Sequence, residues 1–422
     1  MRPLFIWIVG ILLQIAIPGA FLGLVTWVLA IGLLLVAWLL ARKQTLYMYD
    51  ARWMWGVLFF LLLFSLSSAM TLEADSREPV KNTRLLQLAD EWRQQRVHRL
   101  DSLHLSTGQR SLLATITLGD RSKMSREVRQ QFSVTGVSHV LAVSGFHVAV
   151  VCGFVVMLLR LLPHFRFEKT ICYLLTIILL WAYVCVTGMP PSAVRAGVML
   201  SLFLTGQWLR RQTDGYNTWA ASAFCMLVYD PYLLFHIGFQ LSYLAVLSIL
   251  YLQPRLSGLI EVRNPLIRVP WQWVTVAVSA QVGTAFLCLH YFGYFSLVFL
   301  FTNLPITLLS FGLIPLTLSW MLLPHNLPGM LCLQQVIEWL TCAMMQVVEL
   351  FAAIPGATWS CRFSWFSMLS GYAMLLCLLL YLRSRRARLL IATLFFLLLL
   401  LVGLLISKEE IVSEVSSLSI IN

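Results

Sequence analysis

The residues best suited to chemistry lie in a polar run between apolar ones, Gly136-Val137-Ser138-His139-Val140-Leu141-Ala142-Val143-Ser144-Gly145-Phe146-His147, preceded by Gly119-Asp120-Arg121-Ser122. Read as one helix at about 100° per residue, His139 and His147 sit roughly 80° apart, with Ser144 beside His147. Such a polar stripe can hydrogen-bond along a path. It can equally glue helices together, with Ser144-Gly145 permitting close backbone approach. Two histidines offer two metal ligands where a site needs three or four, so no metal centre is expected. A serine nucleophile at Ser144 with His236 or His290 as base would give intramembrane proteolysis, although nothing local ties either histidine to it.

A second group is Gly188-Met189-Pro190-Pro191-Ser192-Ala193-Val194-Arg195. Proline suits the first helical position, and the free N–H groups and positive dipole end of such a start attract anions. Arg195, one turn in, can add a charge-assisted contact to a phosphate or extend to lipid headgroups. A third group is Tyr232, His236, Gln240 and Tyr243, which fall within roughly 80° on a helical wheel. That face can stack and hydrogen-bond along a nucleic-acid strand or pack on a polar neighbour. Gln281, His290 and Asn303 are weaker candidates. A helix broken at Pro305 beyond Asn303 would expose backbone tolerated only inside protein or along a water-filled cavity. Glu338 and Glu349 on a late apolar segment are expected to be buried and paired.

The elements that must position these residues are membrane helices. The 422-residue chain is 59% hydrophobic and 11% charged, with a mean hydropathy of +0.83. Soluble domains carry about 25% charged residues, and one soluble core cannot hold this much apolar mass. At about 20 residues per crossing, the runs predict an all-α bundle of about 11–13 membrane segments, some short or broken. Residues 1–70 hold N-terminal membrane helices, with the first read as a retained signal anchor because no cleavage site precedes Pro18-Gly19. Residues 71–136 form a polar extracytoplasmic stretch. In it, Leu85, Leu86, Leu88, Trp92 and Leu103 suggest an amphipathic surface helix, and Ser106 to Gln109 reads as a capping box. Residues 137–382 hold further membrane segments, and 383–422 a basic loop, a last membrane helix and a short tail.

The net charge of +12 has a topological explanation. With the N-terminus inside and alternating crossings, Arg42, Lys43, Arg52, Arg160, Arg166, Lys169, Arg210, Arg211, Arg255, Arg263, Arg268, Arg383, Arg385, Arg386 and Arg388 fall on inner loops. Only Arg195, Arg362 and Lys408 fall on the short outer ones, and the C-terminus lies outside. The nine cysteines sit mostly in apolar runs with no CxxC pair and read as packing residues. No GxxxxGK[ST] loop or HExxH occurs, so neither an ATP motor nor a metalloprotease is visible.

With these residues in view, the chain resembles the ComEC competence family, specifically its polytopic membrane channel domain at 137–382. The blocks that carry the resemblance are LGDRS at Leu118 to Ser122, GVSHVLAVSGFHV at Gly136 to Val148, PPSAVRAGVM at Pro190 to Met199 and DPYLLFHIGFQLSYLAVLSIL at Asp230 to Leu250, with FTNLPI at Phe301 to Ile306 looser. The resemblance implies a channel of the bacterial cytoplasmic membrane that passes single-stranded DNA inward. It implies an extracytoplasmic DNA receptor and a separate cytoplasmic helicase-like ATPase as partners, besides membrane lipid, and leaves room for a homo-oligomer. It makes the motif positions His139, Ser144, His147, Ser192, Arg195 and Gln240 candidates for the DNA path, and the polar residues His236, Tyr243, Gln281 and Asn303 read above join them. Asp120, Arg121, Gly145, Pro191, Gly238 and Ser242 become motif or structural positions.

Family members often carry an OB-like insertion, where only Thr71 to Asn82 stands here, and a C-terminal metallo-β-lactamase-like domain. No HxHxD-type motif occurs in this sequence. Neither nuclease activity nor a cofactor is therefore expected, and a reduced paralogue moving a small solute or a lipid-linked substrate is the alternative.

Overall fold

The computed structural model describes residues 1–17, 20–42, 52–75, 84–161, 168–211, 213–324 and 326–421. Pro18-Gly19, Lys43, Arg166 and residues 76–82 of the expected insertion site lie outside the described residues. The described chain forms sixteen α-helices and one two-stranded sheet. In order the helices are α1 (Arg2–Ala16), α2 (Ala20–Arg42), α3 (Arg52–Asp75), α4 (Arg84–Arg99), α5 (Thr107–Leu118), α6 (Arg126–Val134), α7 (Gly145–Leu159) and α8 (Glu168–Val186). They continue with α9 (Pro191–Trp208), α10 (Gly215–Tyr229), α11 (Ile237–Ser257), α12 (Pro265–Phe292), α13 (Phe299–Leu322), α14 (Met330–Ala352), α15 (Trp365–Ser384) and α16 (Ala387–Ile421). Strands β1 (Tyr294–Ser296) and β2 (Thr358–Ser360) pair antiparallel, with Phe295 opposite Trp359.

Among the described residues, eight helices are long and apolar enough to cross a membrane, including α8, α11, α12, α13, α14 and α15, and Arg2–Ala16, Trp27–Val36 and Gly145–Leu159 are shorter apolar helices. Outward leucines such as Leu394 and Leu398 are more than half exposed, as side chains that face lipid would be. The chain is a multi-pass membrane protein. Pro305 and Pro315 do not break α13, which runs through both, correcting the expected interruption beside Asn303. Helices in apolar surroundings tolerate proline where neighbouring groups resatisfy the backbone.

The helices fall into two compact units, each described by itself. The first comprises Met1–Arg96 and Val143–Tyr243. Its core joins Trp7 and Ile11 of α1, Leu63 of α3, Leu227 of α10, and Phe239 and Tyr243 of α11. Trp7 spends its buried indole N–H on the Leu227 carbonyl at 3.3 Å, and Ser68 of α3 donates to Gln14 of α1 at 2.5 Å. Gly10 lets α1 and α3 touch, since a Cβ there would sit 1.8 Å from Ser67 Oγ. Small residues and interhelical polar pairs replace the hydrophobic drive that lipid removes.

The second unit comprises Val97–Ala142 and Leu244–Asn422. The expected capping box opens α5, with Ser106 and Gln109 exchanging bonds, and Gly119 in the left-handed region closes it. Nearly all of α5 from Ser111 onward is buried, and it packs on α13 and α14. Glu338 of α14 accepts from the His104 N–H at 2.8 Å and from Gln334 at 2.9 Å, whereas Glu349 is exposed rather than buried and paired. Arg99 caps the end of α13 through the Met321 and Leu323 carbonyls at 2.7 and 2.8 Å, where a cation suits the negative dipole end.

Candidate functional site

The first unit gathers the starts of three helices. α7 begins only at Gly145, after a 3₁₀ turn at Ser138–Val140, so 137–161 is not one helix. The stripe expected from His139 to His147 is therefore not formed, because His139 precedes the helix. Ser144 is the N-cap of α7, its Oγ 2.8 Å from His147 Nδ1 and its N–H donating to the same nitrogen at 3.3 Å. Placing the acceptor at Nδ1 puts the imidazole proton on Nε2 in the neutral ring. His147 is wholly buried. The Oγ of Ser144 thus faces a histidine of its own helix turn rather than His236, and His290 gives Nδ1 to the Phe363 carbonyl at 2.7 Å.

The start of α9 is held against that of α7. Pro190 and Pro191 occupy the N-cap and first position, and Ser192 Oγ donates to the Val143 carbonyl at 2.6 Å. Gly145 is close to Ala196, since a Cβ on it would lie 3.5 Å from the alanine's. Arg195 is 3% exposed, and its Nε and Nη1 lie buried without a hydrogen-bond partner among the described residues.

The third start is that of α11. Asp230 caps a 3₁₀ turn at Pro231–Phe235 through the Tyr232 N–H at 2.9 Å, and the α-helix begins at Ile237. Tyr232 therefore does not share a helical face with Gln240 and Tyr243, correcting the wheel that placed them together. His236 stands between the two helices, exposed, with Nδ1 accepting from the Gly238 N–H at 3.2 Å. Gln240 turns its amide back to the Leu234 carbonyl at 3.0 Å. Tyr243 is buried and donates to Ser222 at 3.3 Å, while Trp219 donates to the Tyr243 carbonyl at 2.9 Å. Ser222 and Trp219 of α10 were not legible as partners, because single polar residues in an apolar run carry no spacing signal. Arg195 is an electrostatic neighbour of the Tyr243 phenol. An added Cβ on Gly238 would sit 3.8 Å from Arg195 Nη1 and 3.3 Å from the His236 ring. Ser242 is half-buried on α11.

The remaining candidates lie in the second unit. The His139 ring lies beside the Gly136 backbone and the Asn303 side chain, so two of the candidates meet here. Asn303 also accepts from Thr307 at 3.3 Å. Gln281 is half-buried midway along α12. Asp120 and Arg121 make local bonds: Asp120 accepts from the Ser122 N–H at 2.9 Å, its carbonyl takes Thr115 Oγ1 at 2.6 Å, and Arg121 Nε donates to the Leu141 carbonyl at 3.1 Å. Partial desolvation, then the charge of Arg129, holds the Arg121 guanidinium below its ordinary pKa. A recess of about 320 Å³ at the α11–α12 turn, beside Arg263, Arg268 and Trp271, contains none of the candidates.

A family model described as Competence protein matches residues 116–386, well over half the chain. The chain belongs to the Competence protein family. It is 30% identical over 222 residues to ComE operon protein 3 of Bacillus subtilis (strain 168), a match covering 52% of this chain and 26% of that protein. It is 25% identical over 234 residues to the Uncharacterized protein YcaI of Escherichia coli (strain K12), covering 53% of this chain and 30% of that protein. The chain thus matches about a quarter to a third of the length of these two relatives. No solved structure matches it.

Proposed function

We propose that this chain forms the membrane passage through which one strand of DNA moves inward across the bacterial cytoplasmic membrane. The observation that carries the reading is the family match, which spans the blocks holding Asp120, His139, Ser144, Arg195 and Gln240. A polyanion needs a hydrated path with polar and basic lining. In support, the candidates of the first unit sit at helix starts, where backbone dipoles favour anions. The inward-biased Lys and Arg loops favour N-terminus inside and C-terminus outside. The strand would come from an extracytoplasmic DNA receptor and be drawn in by a separate ATPase, consistent with a sequence that shows no phosphate-binding loop. The reading assigns the chain conduction and no chemical step.

The test is ionic current through the purified protein in a planar bilayer, with single-stranded DNA added on the outer side. DNA-dependent block is the expected result. A protein that conducts and ignores DNA would overturn the reading in favour of small-solute transport.

A further inference from the structure

A buried cation normally has an anion beside it, because an unpaired charge in a dry interior is strongly unfavourable. Arg195 has none: it is 3% exposed, no acidic side chain lies within salt-bridge distance, and Nε and Nη1 lack acceptors among the described residues. Its position makes matters worse for the fold alone. It lies one turn into α9, near the positive end of the helix dipole, where a cation is disfavoured. The starts of α7 and α11 flank the same place, the first through Ser192 and Val143, the second through Gly238. Three positive helix ends and an unneutralised guanidinium form a centre whose missing component is an anion.

We infer that Arg195 and the starts of α7, α9 and α11 form a site for one phosphodiester group of the translocating strand. The inference rests on the DNA-passage reading and adds to it the contact point. A guanidinium grips two phosphate oxygens with parallel N–H bonds, which a lysine cannot reproduce. Gly238 puts no side chain against Nη1, where a Cβ would lie 3.8 Å away, and the exposed His236 over the same glycine marks the side from which the strand arrives. In the structure the site is closed around Arg195, so entry requires the α9 and α11 starts to part.

The test uses the full chain in nanodiscs of neutral lipid, with a fluorescent oligothymidylate as probe and thermal unfolding as a second readout. Arg195→Met should weaken probe binding about tenfold and should raise the unfolding temperature of the DNA-free protein, since it deletes an uncompensated charge. Arg195→Lys should recover little affinity, and an oligonucleotide with neutral methylphosphonate linkages should bind wild type and Arg195→Met alike. Should Arg195→Met not fold, Gly238→Ala carries the same binding assay, with weakened binding expected. Wild-type binding that Arg195→Met leaves unchanged would overturn the inference while leaving the passage reading intact. A site that ignores the oligonucleotide, yet gains stability in an Arg195-dependent way from phosphatidylglycerol, would be a lipid headgroup site and would overturn it too. Wild type that binds neither the oligonucleotide nor phosphatidylglycerol would overturn the inference, while DNA-dependent block of current would still uphold the passage.

Discussion

Gly136 is the position where a single methyl should cost most. It ends α6, its φ is +75°, and its N–H returns to the Ser133 carbonyl at 3.1 Å. An L-residue in the left-handed region costs about 1–2 kcal/mol. An alanine Cβ would also lie 2.8 Å from the Cβ atoms of both Phe299 and Ser296. Both are anchored close to backbone, one at the start of α13 and one in β1, so neither can swing aside. Overpacking of that kind adds roughly 1–3 kcal/mol, so Gly136→Ala should lose about 2–5 kcal/mol in all. The damage falls beside His139, whose ring lies next to the Gly136 backbone and Asn303. DNA-dependent block should therefore weaken along with stability.

The assay is thermal unfolding in one detergent, followed by tryptophan fluorescence, with Gly153→Ala as the control. Gly153 lies inside α7 with nothing within 4 Å of its added Cβ, so that variant should gain roughly 0.5–1 kcal/mol. Gly136→Asn separates the two costs, because asparagine tolerates the left-handed region but keeps the clash. An unfolding temperature for Gly136→Ala at or above wild type would refute the reasoning. So would a control that falls as far.

Two further predictions concern hydrogen bonds. Ser144→Ala removes the hydroxyl bond to the buried His147 Nδ1, should cost about 1 kcal/mol and should leave the current in place. Labelling of wild-type Ser144 by a fluorophosphonate, with loss of function in the variant, would instead revive a hydrolase. Glu338→Ala strips the acceptor from the His104 N–H and Gln334, costing about 0.5–1.5 kcal/mol; hydrogen exchange around residues 103–106 should quicken, and less so in Glu338→Gln.

What the sequence made legible were features written in composition. Long apolar runs locate spans because hydrocarbon selects for them, and the Ser106–Gln109 box announces α5 through side chains that must bond the helix start. Helix starts inside apolar stretches were not legible. Val140-Leu141-Ala142-Val143 looks the same on either side of the 3₁₀ turn, so a wheel drawn through it joined His139 to His147 wrongly. A cue did exist at the other site. Asp230-Pro231 is a turn opener, and Asp230 does cap the turn that takes Tyr232 off the α11 face. The proline pair in α13 erred in the opposite direction, since proline predicts a break more firmly in water than in apolar surroundings.

Charge shows the same divide between what composition reveals and what only packing reveals. A net charge of +12 looks like an argument for nucleic acid, yet inner-loop placement accounts for most of it. Loop cations are hydrated, screened and indifferent to which anion is nearby. Arg195 counts once in that total and differs in kind, because burial removes the water that would neutralise it and the helix end beneath it repels it. A fold under no functional demand would replace it with an apolar side chain at a gain in stability. The stability change on removing that one arginine therefore tests function more directly than any change to the surface charge, and its sign should be opposite to the effect on DNA binding.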